Sequence, residues 1–182
     1  MTAHAEQHIR LWLEEFVVGL NLCPFARPLL GAPNLRIAVC EERDTTALLR
    51  AFLAELDLLQ RSTEQDIATT LLVFPSALHD FEDYLHFLDD AQELLLQSGL
   101  EGVVQLASFH PLYQFAGEPP AAASHYSNRA PYPIIHLLRE DMLGRILEDH
   151  ADPDAIPGRN IEMLNTIGVE ELARRWRAIF SM

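Results

Sequence analysis

Apolar side chains recur every three or four positions at the start of the chain, at Ile9, Trp12, Leu13, Phe16, Val17 and Leu20. That spacing lays one stripe along a helix. It predicts a helix over residues 1–20, ended by Asn21 and Pro24, because proline cannot continue the hydrogen-bond ladder. Pro28, Gly31 and Pro33 then mark a loop. Leu35 to Glu41 reads as a first strand. Asp44 is placed to cap a helix whose buried stripe is Leu48, Leu49, Phe52, Leu53, Leu56 and Leu59. Thr69 to Phe74 is β-branched and apolar, a second strand ended by Pro75. Ser76 can cap a long helix carrying Phe81, Leu85, Leu88, Leu94 and Leu95, which Gly99 stops. Val103 to Phe109 reads as a third strand.

A loop of roughly 22 residues follows, from His110 to Pro131, and structureless loops that long are usually functional or disordered. Its middle, Gly117 to Ser127, is rich in Pro, Ala and Ser and reads as mobile, while its aromatic ends read as packed. Ile134 to Arg139 reads as a fourth strand, with Glu140 and Asp141 opening a helix toward His150. Asn160 can cap a short helix that stops before Gly168. Val169 to Phe180 closes the chain as a helix, with Leu172, Ala173, Trp176 and Phe180 inward. Strands alternating with helices predict an α/β fold. The expectation is a single layered domain spanning 1–182, with a central four-stranded, mostly parallel sheet flanked by helices and extra helices at both ends. Helical crossovers make the first three strands parallel, and the direction of the fourth stays open.

Composition narrows the function classes. The chain has 182 residues, 49% hydrophobic and 22% charged, as expected of one soluble globular domain. No apolar run reaches the roughly 18 residues of a membrane span, and Met1 to Gln7 lacks the pattern of a signal peptide. No membrane partner and a cytoplasmic location are the expectation. The net charge is −14 and all 13 basic residues are arginine. Without lysine there is no Schiff-base or lysine-nucleophile chemistry. Without a basic stripe, nucleic acid is not an expected partner. Cys23 and Cys40 are too few for a disulfide scaffold and are expected to be reduced.

The densest chemistry lies between Ser108 and Arg139, in a stretch braced by prolines. His110 follows a strand directly and His136 lies within one. They could act as general acid and base, or give two ligands to a metal, with Cys23, Glu140 or His125 as the third. Their spacing matches no specific metal motif, so the metal stays unknown. A backbone-bonded structural role is the plainer reading of His136. Cys23, at a helix carboxyl end, is an optional nucleophile or a small core residue. Arg129 and Arg159 sit in proline-braced loops, and Asn160 at an expected helix start completes an anion-binding arrangement. Internal salt bridges are the alternative for both arginines. Asn128, Tyr113 and Arg139 lie beside them as further candidate ligand contacts, Tyr113 also as a loop anchor and Arg139 also as a structural residue next to Glu140. No glycine-rich phosphate loop, dinucleotide fingerprint, serine elbow or paired-cysteine motif appears, so no cofactor is assigned.

Four segments carry a resemblance. They are Gly19-Leu20-Asn21-Leu22-Cys23-Pro24-Phe25; Ser108-Phe109-His110-Pro111 with Tyr113-Gln114-Phe115; Asn128-Arg129-Ala130-Pro131-Tyr132-Pro133 with His136-Leu137-Leu138-Arg139-Glu140; and Ile156-Pro157 with Arg159-Asn160. Together they resemble the domain-of-unknown-function family fourteen-fifteen of bacteria and plants. That pattern more often has serine where this chain has Ala130, so a hydroxyl there is not required. The resemblance implies no activity, only that the four segments form one signature and one site. Three readings follow from the residues: a small enzyme acting on an anionic metabolite, a noncatalytic anion-binding or regulatory module, and a structural subunit. The oligomeric state is left open.

Overall fold

Alternation of side chains along four strands decides the architecture. The computed structural model describes residues 2–148 and 152–181. Within them β1 (Leu35–Val39), β2 (Thr69–Val73), β3 (Val104–Phe109) and β4 (Ile134–Arg139) form one sheet in the order β1-β2-β4-β3. β1 and β2 are parallel, and β4 runs antiparallel to both β2 and β3. The sheet is therefore mixed, not mostly parallel. The first three strands do point the same way, but β4 enters between β2 and β3 and removes a parallel pairing. The long segment after β3 simply turns back along it, which needs no helical crossover.

Successive residues point to opposite faces of a sheet. Leu35, Leu71, Val73 and Ile134 belong to one apolar cluster, and Leu72, Phe74, Ile135 and Leu137 to the other. The first face is covered by α1 (Thr2–Trp12), a π-helical turn (Leu13–Val18), α6 (Ala155–Ile167) and α7 (Val169–Ala178). The second face carries α3 (Thr45–Arg61) and α4 (Phe81–Gln97). A single turn, α2 (Ala26–Leu29), follows the N-terminal helix, and α5 (Glu140–Glu148) continues directly from β4. The expected end of α5 near His150 lies outside the described residues.

Local chemistry explains where elements begin. Asp44 caps α3 by accepting from the Ala47 N–H at 3.2 Å. α4 starts later than expected, because Asp80 rather than Ser76 accepts from the Glu82 and Asp83 N–H groups. α6 starts earlier than expected, at Ala155. Pro157 sits in its first turn, where a missing N–H costs nothing, and Asn160 is inside the helix instead of capping it. The N-terminal helix loosens into the π turn, with the Gly19 N–H donating to Glu14 O at 2.9 Å. A Cβ on Gly19 would lie 2.4 Å from the Glu15 carbonyl oxygen, so glycine permits this winding.

Candidate functional site

A cavity of about 580 Å³ lies between the first face of the sheet and the helices that cover it. Leu35, Thr69, Leu71, His136 and Leu138 form its floor, and Trp12, Val17, Cys23 and Ile161 line it from the helical side. Phe115, Ser124, Ser127 and Asn128 close it from the long loop. The site is not at the carboxyl ends of the parallel strands, since Leu35 and Thr69 open β1 and β2. A rim crevice needs crossover helices that leave to opposite faces. Here α3 and α4 pack on the same face, so no such crevice forms.

One wall is built by the segment from Gly19 to Phe25. Asn21 has φ 51, a left-handed conformation that asparagine tolerates. The turn exposes two carbonyls to α6. Asn160 Nδ2 donates to Leu22 O at 2.8 Å, and Arg159 Nη2 donates to Asn21 O at 3.2 Å. These bonds join two distant segments of the sequence signature. Asn160 Oδ1 is enclosed and has no partner among the described residues. Cys23 follows the π turn at a distance and precedes α2, so it does not end a helix as expected. Burial pushes its thiol pKa up, with the Phe25 and Ala26 N–H groups opposing. The thiol is therefore un-ionised at neutral pH.

His136 sits on the floor of the cavity. Thr69 Oγ1 is 2.7 Å from Leu137 O and 2.7 Å from His136 Nε2. Burial lowers the imidazole pKa to about 4, so the ring is neutral at pH 7. Because the ring faces the cavity it keeps some accessible surface even though protein surrounds it.

The structure gathers Cys23, His136, Asn128 and Asn160 around this one space. It places the other candidates elsewhere. His110 is fully buried on the second face, against Phe81 and Tyr84. Its Nδ1 accepts from the Leu112 N–H and its Nε2 bonds Leu78 O at 2.9 Å, so both ring nitrogens are occupied by backbone. Burial also lowers its pKa. His110 and His136 thus lie on opposite faces and cannot work as a pair. Among the described residues no three His, Cys, Asp or Glu side chains are grouped to hold a metal ion. Arg139, on the second face, donates to Leu59 O, Ser62 O and Ile67 O and ties off the end of α3. Arg129 lies over the Tyr126 ring and bonds Tyr113 O at 3.3 Å. The Tyr113 hydroxyl meets Ser108 Oγ. Arg159 is exposed.

Several cavity residues carried no sequence signal of function. Thr69 looked like an ordinary strand residue. Ser124 and Ser127 fall in the stretch expected to be mobile, yet Ala123–Ser127 is a 3-10 turn with Ala123, Ser124, His125 and Tyr126 buried. His125 holds it, accepting from the Phe115 N–H and bonding Pro119 O. A buried histidine amid small residues was the available clue. Ser124 Oγ, like Asn160 Oδ1, is enclosed without a partner among the described residues, and such atoms in a native fold call for an explanation.

A family model described as "Protein of unknown function (DUF1415)" matches residues 4–174. No curated protein and no solved structure matches the chain.

Proposed function

The chain belongs to the DUF1415 family, and from that premise we propose that it binds a small, uncharged, mainly apolar molecule in the cavity over the first face of its sheet. The observation that carries this is the cavity itself. Its volume of about 580 Å³ is in the range of small-molecule sites, which are mostly apolar with a few placed polar groups. Burial pushes the Cys23 thiol pKa up and lowers that of the His136 ring to about 4, so neither is charged at pH 7. Among the described residues Glu118 is the one acidic side chain in the lining, and no arginine is there. An anionic metabolite held by Arg129 and Arg159 is therefore not the ligand this space favours.

Binding without turnover needs nothing more than this. An enzymatic reading is favoured by one observation, that the Cys23 thiol and the His136 ring share the same space. In that reading Cys23 is the nucleophile and His136 the proton acceptor. The test of binding is thermal unfolding with a panel of alkylbenzenes and medium-chain alcohols, since a ligand that binds only the folded state raises the midpoint. Ala26→Trp, which fills part of the cavity, should remove the effect. If no compound stabilises the wild-type protein, the binding reading fails.

A further inference from the structure

Two polar side chains at the cavity, His136 and Asn160, have roles set by their partners. Thr69 has one hydroxyl hydrogen, and Leu137 O, at 2.7 Å, can only accept it. Thr69 Oγ1 must then accept from His136, so Nε2 carries the ring proton. In the neutral ring this leaves Nδ1 as a bare acceptor. Nδ1 makes no hydrogen bond among the described residues. It is also absent from the four enclosed, unpartnered side-chain atoms among the described residues, which are Thr70 Oγ1, Ser124 Oγ, Asn160 Oδ1 and Trp176 Nε1. Nδ1 therefore opens onto the cavity that His136 lines. Asn160 is oriented by the same logic. Its Nδ2 donates to Leu22 O, which orients the amide and leaves Oδ1, an acceptor, without a partner among the described residues.

We infer that the cavity selects ligands that donate a hydrogen bond: compounds with an apolar body and an uncharged hydroxyl or N–H group that meets His136 Nδ1. This rests on the binding reading above and adds to it the chemical class of the ligand. Thr69 is then a positioning residue, acting through the ring it orients. Carboxylates and ethers are disfavoured, because each would set an acceptor against an acceptor. A buried site built to bond a donor rejects analogues that lack it, since its own polar group is left unpaired.

A matched pair of probes tests this, 4-butylphenol and 4-butylanisole, which differ in replacing the hydroxyl hydrogen by methyl. Their affinities for the full chain are measured by calorimetry at pH 7. The phenol should bind about tenfold more tightly. His136→Phe, which keeps a ring but has no acceptor, should bring the two affinities to within about twofold. Thr69→Val frees Nε2 from its acceptor and lets the proton move to Nδ1, so the preference should narrow or reverse. Nitrogen-15 spectra of the wild-type ring should show the proton on Nε2. Equal affinities in the wild type overturn the donor selection and leave the cavity reading standing. A preference that survives His136→Phe also overturns it. Binding of neither probe overturns both.

Discussion

Replacing His136 with glutamine removes a titrating ring while keeping an N–H able to reach Thr69 Oγ1. Burial holds the wild-type imidazole at about 4, against an ordinary value of 6.5. Between those values the unfolded chain binds a proton that the folded chain does not. Stability therefore rises with pH across that window, is intact above 6.5, and is lost as pH falls toward 4. One pKa unit is worth about 1.4 kcal/mol, so the full loss is about 3 kcal/mol and the part between pH 7 and pH 5 is about 2 kcal/mol. For a chain of this size that corresponds to roughly 4–8 °C in the unfolding midpoint. The assay is urea unfolding at pH 7, 6 and 5, read by tryptophan fluorescence at low micromolar protein. His110 also has a lowered pKa, but it is present in both proteins and cancels in the difference. Wild type should lose about 2 kcal/mol more than His136→Gln on going to pH 5. Parallel pH dependence of the two proteins would refute the neutral, enclosed ring, and with it the fixed tautomer.

Gly19→Ala should destabilise by about 1–3 kcal/mol, because its Cβ would press on the Glu15 carbonyl. Gly144→Ala, in α5 with nothing within 4 Å, should be neutral or gain up to about 1 kcal/mol; equal effects in urea unfolding would dismiss the π-turn argument. Arg139→Met should cost about 2–4 kcal/mol by stranding the carbonyls at the end of α3, without changing cavity-ligand affinity. A shift in that affinity would show that the two faces are coupled. Cys23 should react slowly with iodoacetamide at pH 7, with a rate still climbing at pH 9, because burial raises its pKa. A fast reaction at neutral pH that ligands do not slow would place the thiol outside the cavity.

Most elements were legible in the order of residues. The stripes in the first helix, α3 and α4 recur at helical spacing, and the β-branched run at Thr69 marks a strand, because these signals are local. Boundaries shifted where one side chain outbid another, as Asp80 did over Ser76. The link between the Gly19–Phe25 segment and Arg159-Asn160 was suggested by their shared signature, and two hydrogen bonds make it physical. That His110 and His136 lie on opposite faces was not legible in this way. Phe109 pairs with Ile134, and Ala107 with His136, which puts His136 on the face of Phe109 and His110 on the other. A slip of one residue in that register would have reversed the outcome.

Composition and periodicity thus determined the α/β class and the absence of lysine chemistry. Tertiary structure decided that β4 lies antiparallel between β2 and β3, that both crossover helices share one face, and that the opposite face encloses a cavity. It also decided what His136 can do. Its acceptor role depends on Thr69, 67 positions away in sequence, whose single hydrogen is claimed by the Leu137 carbonyl. Strand register brings those three groups together, and register is set by contacts between distant segments that no local pattern encodes.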